Sequence, residues 1–178
     1  MKIQQTVYSA LWIVFVAVGC QEDNDPLPAL TQDGRGTLAC RVDGEVWMPY
    51  TSDLKSRSSV ARYLAKEKTL FLGGYNEDTG ISIGISNYTG QVGEYVIDNF
   101  CIDLPRVENN CATLKRNLYG VNEVKAWTNK TYFGKVIIVA HTSDFVSGTF
   151  EFNLQDPKTA KTIKISEGRF DMSYITYL

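Results

Sequence analysis

Apolar and polar residues alternate along short segments of the chain from residue 36 onward, which predicts β-strands. The clearest case is residues 81–87 (ISIGISN), where isoleucine alternates with serine or glycine. Residues 135–141 (KVIIVAH) include a continuous apolar run, which predicts a central strand buried on both faces. No segment of the domain has the spacing of an amphipathic helix, so we expect strands joined by turns.

The glycine, asparagine and aspartate residues between these segments give the predicted strand boundaries. Asp43-Gly44 is a hairpin turn signal, and residues 98–120 are expected to form a long excursion without a strand. This pattern predicts an all-β domain, either an antiparallel β-sandwich or a closed β-barrel of the lipocalin type. The predicted strands are residues 36–42, 45–48, 60–66, 69–75, 81–87, 93–97, 123–128, 134–142, 148–154, 162–166 and 168–174.

The N-terminus has the layout of a lipoprotein signal peptide. Lys2 precedes an apolar run at residues 10–18, which is followed by Gly19 and Cys20. A membrane span needs about 20 apolar residues, whereas the run has the length of a secretory signal. Residues 17–20 (AVGC) resemble the lipobox of bacterial lipoproteins, which implies that residues 1–19 are removed and that Cys20 carries lipid. An ordinary cleaved signal peptide is the alternative.

Residues 20–35 are expected to be the lipidated cysteine and a flexible stalk, and residues 36–178 a single domain. The stalk contains few large apolar side chains, so it buries too little surface to offset its chain entropy. Its acidic start, residues 21–26 (QEDNDP), resembles the surface-export signal of Bacteroidota lipoproteins, with a simple solvated tether as the alternative. We therefore expect an envelope protein that is anchored to the outer membrane and exposed at the cell surface.

Charge limits the choice of partner. The 178-residue chain carries 18 Lys and Arg against 20 Asp and Glu, a net charge of −2. No basic face is evident in the sequence, so nucleic acid is not an expected partner.

An exported chain meets an oxidising compartment, in which disulfides form. Cys101 and Cys111 flank a loop-like segment (CIDLPRVENNC), so we expect a local disulfide between them, with two unpaired thiols as the alternative. Cys40 alternates with Leu38 and Val42, which favours a buried small hydrophobe. Pairing of Cys40 with one of the other cysteines stays open.

The sequence contains no recognisable catalytic set. His141 is the single histidine, and Ser143 and Asp144 follow it too closely in sequence to converge as a catalytic triad. We expect no metal site, because zinc sites use several histidine or cysteine ligands, and no cofactor, because no phosphate-binding glycine loop is present. The expectation is a protein that is not an enzyme, although a hydrolase remains open.

Two segments of the domain resemble a family of uncharacterised Bacteroidota lipoproteins with an all-β domain. Residues 36–47 (GTLACRVDGEVW) are similar to its opening strand, turn and tryptophan. Residues 147–174 (SGTFEFNLQDPKTAKTIKISEGRFDMSY) are similar to its closing hairpin. The shared motifs are structural, so the resemblance implies an exported β domain and transfers no catalytic residue.

Aromatic residues near the predicted loop edges are the candidate binding residues, since such rings stack on sugars or anchor protein contacts. We therefore expect a lipid-anchored, non-enzymatic module that binds a glycan or a protein. The alternative is a lipocalin-like carrier of a small apolar ligand, with Ser82, Gly84, Ser86 and Ala126 lining a lumen. The candidate aromatics are Tyr75, Tyr88, Tyr95, Tyr119, Trp127 and Tyr132.

Overall fold

The structure is a computed structural model that describes residues 26–50, 58–101, 108–118 and 123–175. Residues 1–25, with the predicted signal peptide and Cys20, lie outside the described residues. In the described ranges, no helix is long and apolar enough to cross a membrane. The strands are β1 (Thr37–Val42), β2 (Glu45–Trp47), β3 (Ser59–Leu64), β4 (Thr69–Tyr75), β5 (Thr79–Ile85), β6 (Gly93–Ile97), β7 (Cys111–Arg116), β8 (Val124–Trp127), β9 (Gly134–His141), β10 (Phe145–Gln155) and β11 (Thr162–Ser173).

The strands form two antiparallel sheets that pack as a β-sandwich. The six-stranded sheet has the order β2-β1-β11-β10-β9-β6, and the five-stranded sheet has the order β3-β4-β5-β7-β8. Both sheets end in edge strands, so neither closes on itself. The predicted sandwich is confirmed and the predicted barrel is wrong. Alternating strands suit both architectures, which is why the sequence pattern left the choice open.

Large aliphatic and aromatic side chains fill the space between the sheets. On β5, Ile81, Ile83 and Ile85 point inward and are at most 1% exposed. Ser82 and Gly84 therefore lie on the outer face of the sheet, because successive side chains of a strand point to opposite faces. Their expected place in a lumen is wrong; of the four small residues named for that lumen, Ala126 belongs to the core.

β11 is one long strand where the sequence predicts two. The predicted break corresponds to a β-bulge: Phe150 pairs with Gly168, and Phe152 pairs with Ile165. Glu167 lies in the bulge with a φ of 53°. Such a bulge moves the inward positions from one alternation to the other without ending the strand.

Two further expectations about the strands are wrong. Residues 98–120 include β7, whose first four residues are all buried and so lack the alternation that reveals a strand. β9 is not buried on both faces: Val136 and Ile138 are in the core, whereas Val139 is 44% exposed. β9 is covered on one face only and lies beside the edge strand β6.

Residues 27–35 pack against the domain, contrary to the expectation of a flexible stalk over this range. Leu27 is 4% exposed. Thr31 and the backbone amides of residues 33–35 donate hydrogen bonds to the carboxylate of Asp171, with Gly34 N at 2.7 Å from Oδ1. We call this arrangement the Asp171 clasp. It depends on hydrogen bonds rather than on apolar burial, so hydrophobic patterning did not reveal it.

The predicted Cys101–Cys111 disulfide is present. Cys40 is unpaired and completely buried, and burial raises the pKa of its thiol to about 12. The expectation that Cys40 is a small buried hydrophobe is therefore confirmed.

Candidate functional site

The outer face of the five-stranded sheet presents residues in rows that cross the strands. Residues that pair across an antiparallel ladder point to the same face. One row runs through Val60, Gly73, Ser82, Thr113 and Trp127. The next row runs through Tyr75, Gly80, Lys115 and Lys125. Residues far apart in sequence thus share one surface, which we call the outer face.

A surface groove of about 300 Å³ lies on the outer face. Its volume is at the lower end of the range of small-molecule sites. Aromatic, hydroxyl and ammonium groups converge in it, together with bare glycine backbone. The lining residues include Val60, Phe71, Gly73, Tyr75, Ser82 and Lys115.

Glycine keeps the groove open. A Cβ added at Gly73 would lie 3.0 Å from Cζ of Phe71 and 3.3 Å from Oγ of Ser82. A Cβ at Gly80 would approach no heavy atom closer than the 3.5 Å to Leu118. Side chains at these two positions would therefore fill the groove rather than collide with the backbone.

Two of the predicted aromatics lie on the outer face. Tyr75 lines the groove and is 37% exposed. Trp127 is half-buried, and its ring packs edge-to-face on Phe100 with 4.5 Å between centroids. Trp127 lies three strands from Tyr75 in the sheet order, a span of about 14 Å. The sequence named both residues, but only the strand order places them on one surface.

The strands of the five-stranded sheet carry cations and no carboxylate. Their charged residues are Arg62, Lys115, Arg116 and Lys125. Lys115 and Lys125 pair directly across β7 and β8. Because these residues are scattered along the chain, the sequence showed no basic face where the fold assembles a small one.

A second groove, of about 350 Å³, lies on the outer side of the six-stranded sheet. Its central cation is already neutralised, because Lys135 Nζ lies 3.1 Å from Glu94 Oε2 and 3.9 Å from Glu151 Oε1. Val96 and Phe133 line this groove and belong to an apolar stripe on or beside β6 and β9. The stripe contains four of the ten large hydrophobic side chains that are exposed among the described residues: Val92, Val96, Phe133 and Val139.

Tyr88, expected as a surface binding residue, is instead completely buried. Its hydroxyl and that of Tyr174 each lie 2.8 Å from Nδ1 of His141. The ring of Tyr63 packs edge-to-face on His141, with 4.9 Å between centroids, and Tyr95 packs in the same way on Tyr88. We call these five residues the tyrosine–histidine cluster. It joins β3 of one sheet to β6 and β9 of the other.

Burial favours the uncharged forms of Tyr88, Tyr174 and His141 in the tyrosine–histidine cluster. Burial raises the pKa of the Tyr88 and Tyr174 hydroxyls, and the neighbouring tyrosines raise it further. Burial lowers the pKa of His141. Among the described residues, the hydrogen bonds of the His141 ring go to tyrosine and not to Ser143 or Asp144. The cluster therefore has the geometry of a packing contact that holds the two sheets together.

The remaining expectations about site residues have mixed outcomes. Tyr132 is half-buried in the turn between β8 and β9, where the Asn129 side chain accepts hydrogen bonds from two turn amides. Tyr119 lies outside the described residues. Within the described ranges, no group of three or more His, Cys, Asp or Glu residues could hold a metal ion.

Comparison with known proteins identifies a family without a known activity. No curated protein and no solved structure matches the chain. The model of a family described as a domain of unknown function, DUF6252, matches residues 41–172. The match spans both sheets and covers well over half of the chain, so the protein belongs to the DUF6252 family.

Proposed function

We propose that this protein is a non-enzymatic glycan-binding module, held at the surface of the outer membrane by lipid on Cys20. The observation that carries the proposal is the glycine-floored groove between Tyr75 and Lys115 on the outer face. It combines an exposed aromatic ring with hydroxyl and ammonium donors on rigid strands, and few convergent polar groups in a mainly apolar cleft are typical of ligand sites.

Sugar chemistry fits this combination. One face of a pyranose ring presents C–H groups, which pack on a tyrosine ring, while its hydroxyls need hydrogen-bond partners. Tyr75 provides the ring, and Ser82 and Lys115 provide the polar groups. Gly73 and Gly80 let a flat ligand approach the sheet closely, since no side chain rises from these positions.

The N-terminal pattern supports the proposed envelope location. A short apolar run that ends at Gly19-Cys20 supports export and lipidation. Several acyl chains on one cysteine anchor a protein stably. A binding module displayed on the cell surface would meet extracellular polysaccharides directly, as the acidic start of the stalk and the resemblance to Bacteroidota lipoproteins support.

The test is a glycan array probed with the mature chain, residues 20–178 with Cys20→Ser. Hits are then measured by isothermal titration calorimetry with Tyr75→Ala and Gly73→Leu, both of which alter the groove. Phe133→Ala is the matched control, because Phe133 is an exposed aromatic on the other sheet at 54% exposure. We expect the groove variants to lose binding and the control to retain it. An empty array, or loss only in Phe133→Ala, would reject the proposal.

A protein partner is the second candidate function, and the apolar stripe beside β6 and β9 favours it. Phe and Val side chains carry no hydrogen-bonding group, so they suit a protein surface better than a sugar. β6 is an edge strand, and an edge strand can pair with an extended partner strand. Loss of cell-surface complexes in Val96→Asp, with glycan binding unchanged, would support this function.

A further inference from the structure

We propose that the glycan is anionic and that Lys115 and Lys125 recognise its carboxylate or sulfate groups; this inference rests on the proposed glycan-binding function. The two lysines and the groove lie on the same face, and Lys115 itself lines the groove. The neutral part of the sugar would pack on Tyr75 while its acidic substituent reaches the lysines.

The first argument is the separation of charge between the sheets. The strands of the five-stranded sheet carry four cations and no carboxylate. The strands of the six-stranded sheet carry Arg41, Lys135, Lys164 and Arg169 together with Glu45, Glu94, Glu151, Glu167 and Asp171. A chain with net charge −2 thus keeps carboxylates off the strands of one whole sheet. Carboxylates do lie in the adjoining turns, at Glu77, Asp78 and Glu123, so the charge that would attract an anion is local to the lysine pair on the outer face.

The second argument is the lysine pair itself. Like charges directly opposite each other on neighbouring strands are destabilising, and Lys115 and Lys125 occupy such a position. Lys115 forms an ion pair with Glu123, whose Oε1 lies 3.7 Å from Lys115 Nζ. Both side chains are more than 40% exposed, so this pair offsets little of the repulsion between the lysines. Lys125 has no ion pair among the described residues. An anion bound between the two ammonium groups would remove the repulsion.

The third argument is position. Tyr75, Gly80, Lys115 and Lys125 follow one another in a single cross-strand row. Strand spacing places the backbone of Lys115 about 10 Å from that of Tyr75. A ligand of several sugar units would span this distance, with the glycine at position 80 leaving the path between them open.

Lysine chemistry defines the ligand class. An ammonium group is a compact charge with three freely directed donors, whereas arginine recognises planar carboxylates through a fixed pair of bonds. A lysine pair therefore accepts a carboxylate or a sulfate, so uronic-acid and sulfated sugars share the chemistry it requires. The experiment tests a carboxylated and a sulfated polysaccharide separately.

The experiment is calorimetry with two matched pairs of polysaccharides and the mature chain carrying Cys20→Ser. Polygalacturonate is compared with its methyl-esterified form, and dextran sulfate with dextran. We expect at least one acidic polymer to bind about ten-fold or more tightly than its neutral match, since a hydrogen bond to a charged group is stronger than one between neutral groups. Added salt should weaken only the acidic binding, by screening.

Variants distinguish recognition of the anionic group from glycan binding itself. Lys115→Gln with Lys125→Gln should lose the preference for the acidic polymer but retain the neutral binding, while Tyr75→Ala should weaken both. Lys164→Gln, on the six-stranded sheet, is the matched control and should change neither. If the acidic and neutral polymers of both pairs bound equally well, the anionic inference would be overturned, but the glycan-binding function would not. Absence of any Tyr75-dependent binding would overturn the glycan function.

A single-stranded oligonucleotide provides the last comparison, because cations beside aromatic rings also bind nucleic acids. Binding of the oligonucleotide as tight as that of the best acidic polysaccharide would mean that the lysine pair attracts any polyanion. That result would overturn the assignment to acidic sugars. Binding of the polysaccharide at least ten-fold tighter would support it.

Discussion

The two sheets of the sandwich share one core but expose different surfaces. On the six-stranded sheet, cations and carboxylates lie side by side, as in the Lys135 contacts with Glu94 and Glu151. On the five-stranded sheet, Lys115 lies directly beside Lys125 on the neighbouring strand, with Gly80 on its other side. The Lys135 ammonium group thus has two carboxylate partners, whereas Lys115 has one exposed partner at 3.7 Å and Lys125 has none among the described residues. This contrast supports the proposal that the five-stranded sheet carries the binding site.

Glycines show the same contrast. A Cβ at Gly148, on β10, would lie 2.0 Å from the carbonyl oxygen of Ile137. A Cβ at Gly73, on β4, would meet only the movable Phe71 ring and the Ser82 side chain, at 3.0 Å or more. Gly148 is therefore required for packing, whereas Gly73 keeps a surface clear.

The largest predicted effect comes from exchanging these glycines for alanine. Gly148→Ala should destabilise the domain by about 3 kcal/mol or more, because the backbone must move to admit the methyl group. Gly73→Ala should change stability by less than about 1 kcal/mol, since the Phe71 ring can rotate away. Urea denaturation of both variants measures the difference. Equal losses would show that Gly73 is also a packing residue.

A smaller effect is expected for ligand affinity when the ring in the groove is removed. Tyr75→Ala should weaken glycan binding by up to about ten-fold, because an aromatic stacking contact contributes about 0.5–1.5 kcal/mol beyond its burial. Thermal unfolding should change little, since Tyr75 is 37% exposed. Calorimetry measures the affinity. Unaltered affinity alongside a weakened Phe133→Ala variant would transfer the binding site to the six-stranded sheet.

Acid should lower the free energy of unfolding through His141 in the tyrosine–histidine cluster. The pKa of His141 is lowered in the folded protein by burial, so the unfolded chain binds a proton first as the pH falls below its ordinary value of about 6.5. Stability should therefore be constant above that value and decrease as the pH falls from it toward the folded pKa. His141→Gln should flatten this part of the curve. Denaturation between pH 4.5 and 7.5, sampled at about half-unit steps, checks the prediction.

The smallest predicted effect is a change in the free energy of unfolding that has opposite signs in two lysine variants. Lys125→Gln should stabilise the domain by a few tenths of a kcal/mol at low salt, because it removes a like-charge neighbour of Lys115. Lys135→Gln should destabilise it by a similarly small amount, because it removes an exposed ion pair. Both effects should fade as salt is added. The same sign for both variants would contradict the electrostatic contrast between the sheets.

Sequence patterning predicted the strands well where one face is buried. Residues 69–75 and 93–97 were located to the residue, because alternation and flanking turn residues agree there. β7 was missed because its start is buried throughout. β9 was placed too centrally because an apolar run fits a two-sided strand and an exposed stripe equally well.

The site was only partly predictable. Tyr75 and Trp127 were recognisable as aromatics near strand ends, whereas Tyr88 has the same local pattern and is buried beside His141. The groove depends on the register of β4 with β5, and the lysine pair on the register of β7 with β8. Such registers are set by long-range pairing, which a single sequence does not display.

The Asp171 clasp has a mechanical consequence. Residues 31–35 bind the carboxylate of Asp171 immediately before the chain enters β1, which itself pairs with β11. Tension arriving along the N-terminal segment would load these hydrogen bonds together before it reached the first strand of the sheet. A pull on the N-terminal segment would therefore have to break several hydrogen bonds together before it could separate β1 from β11.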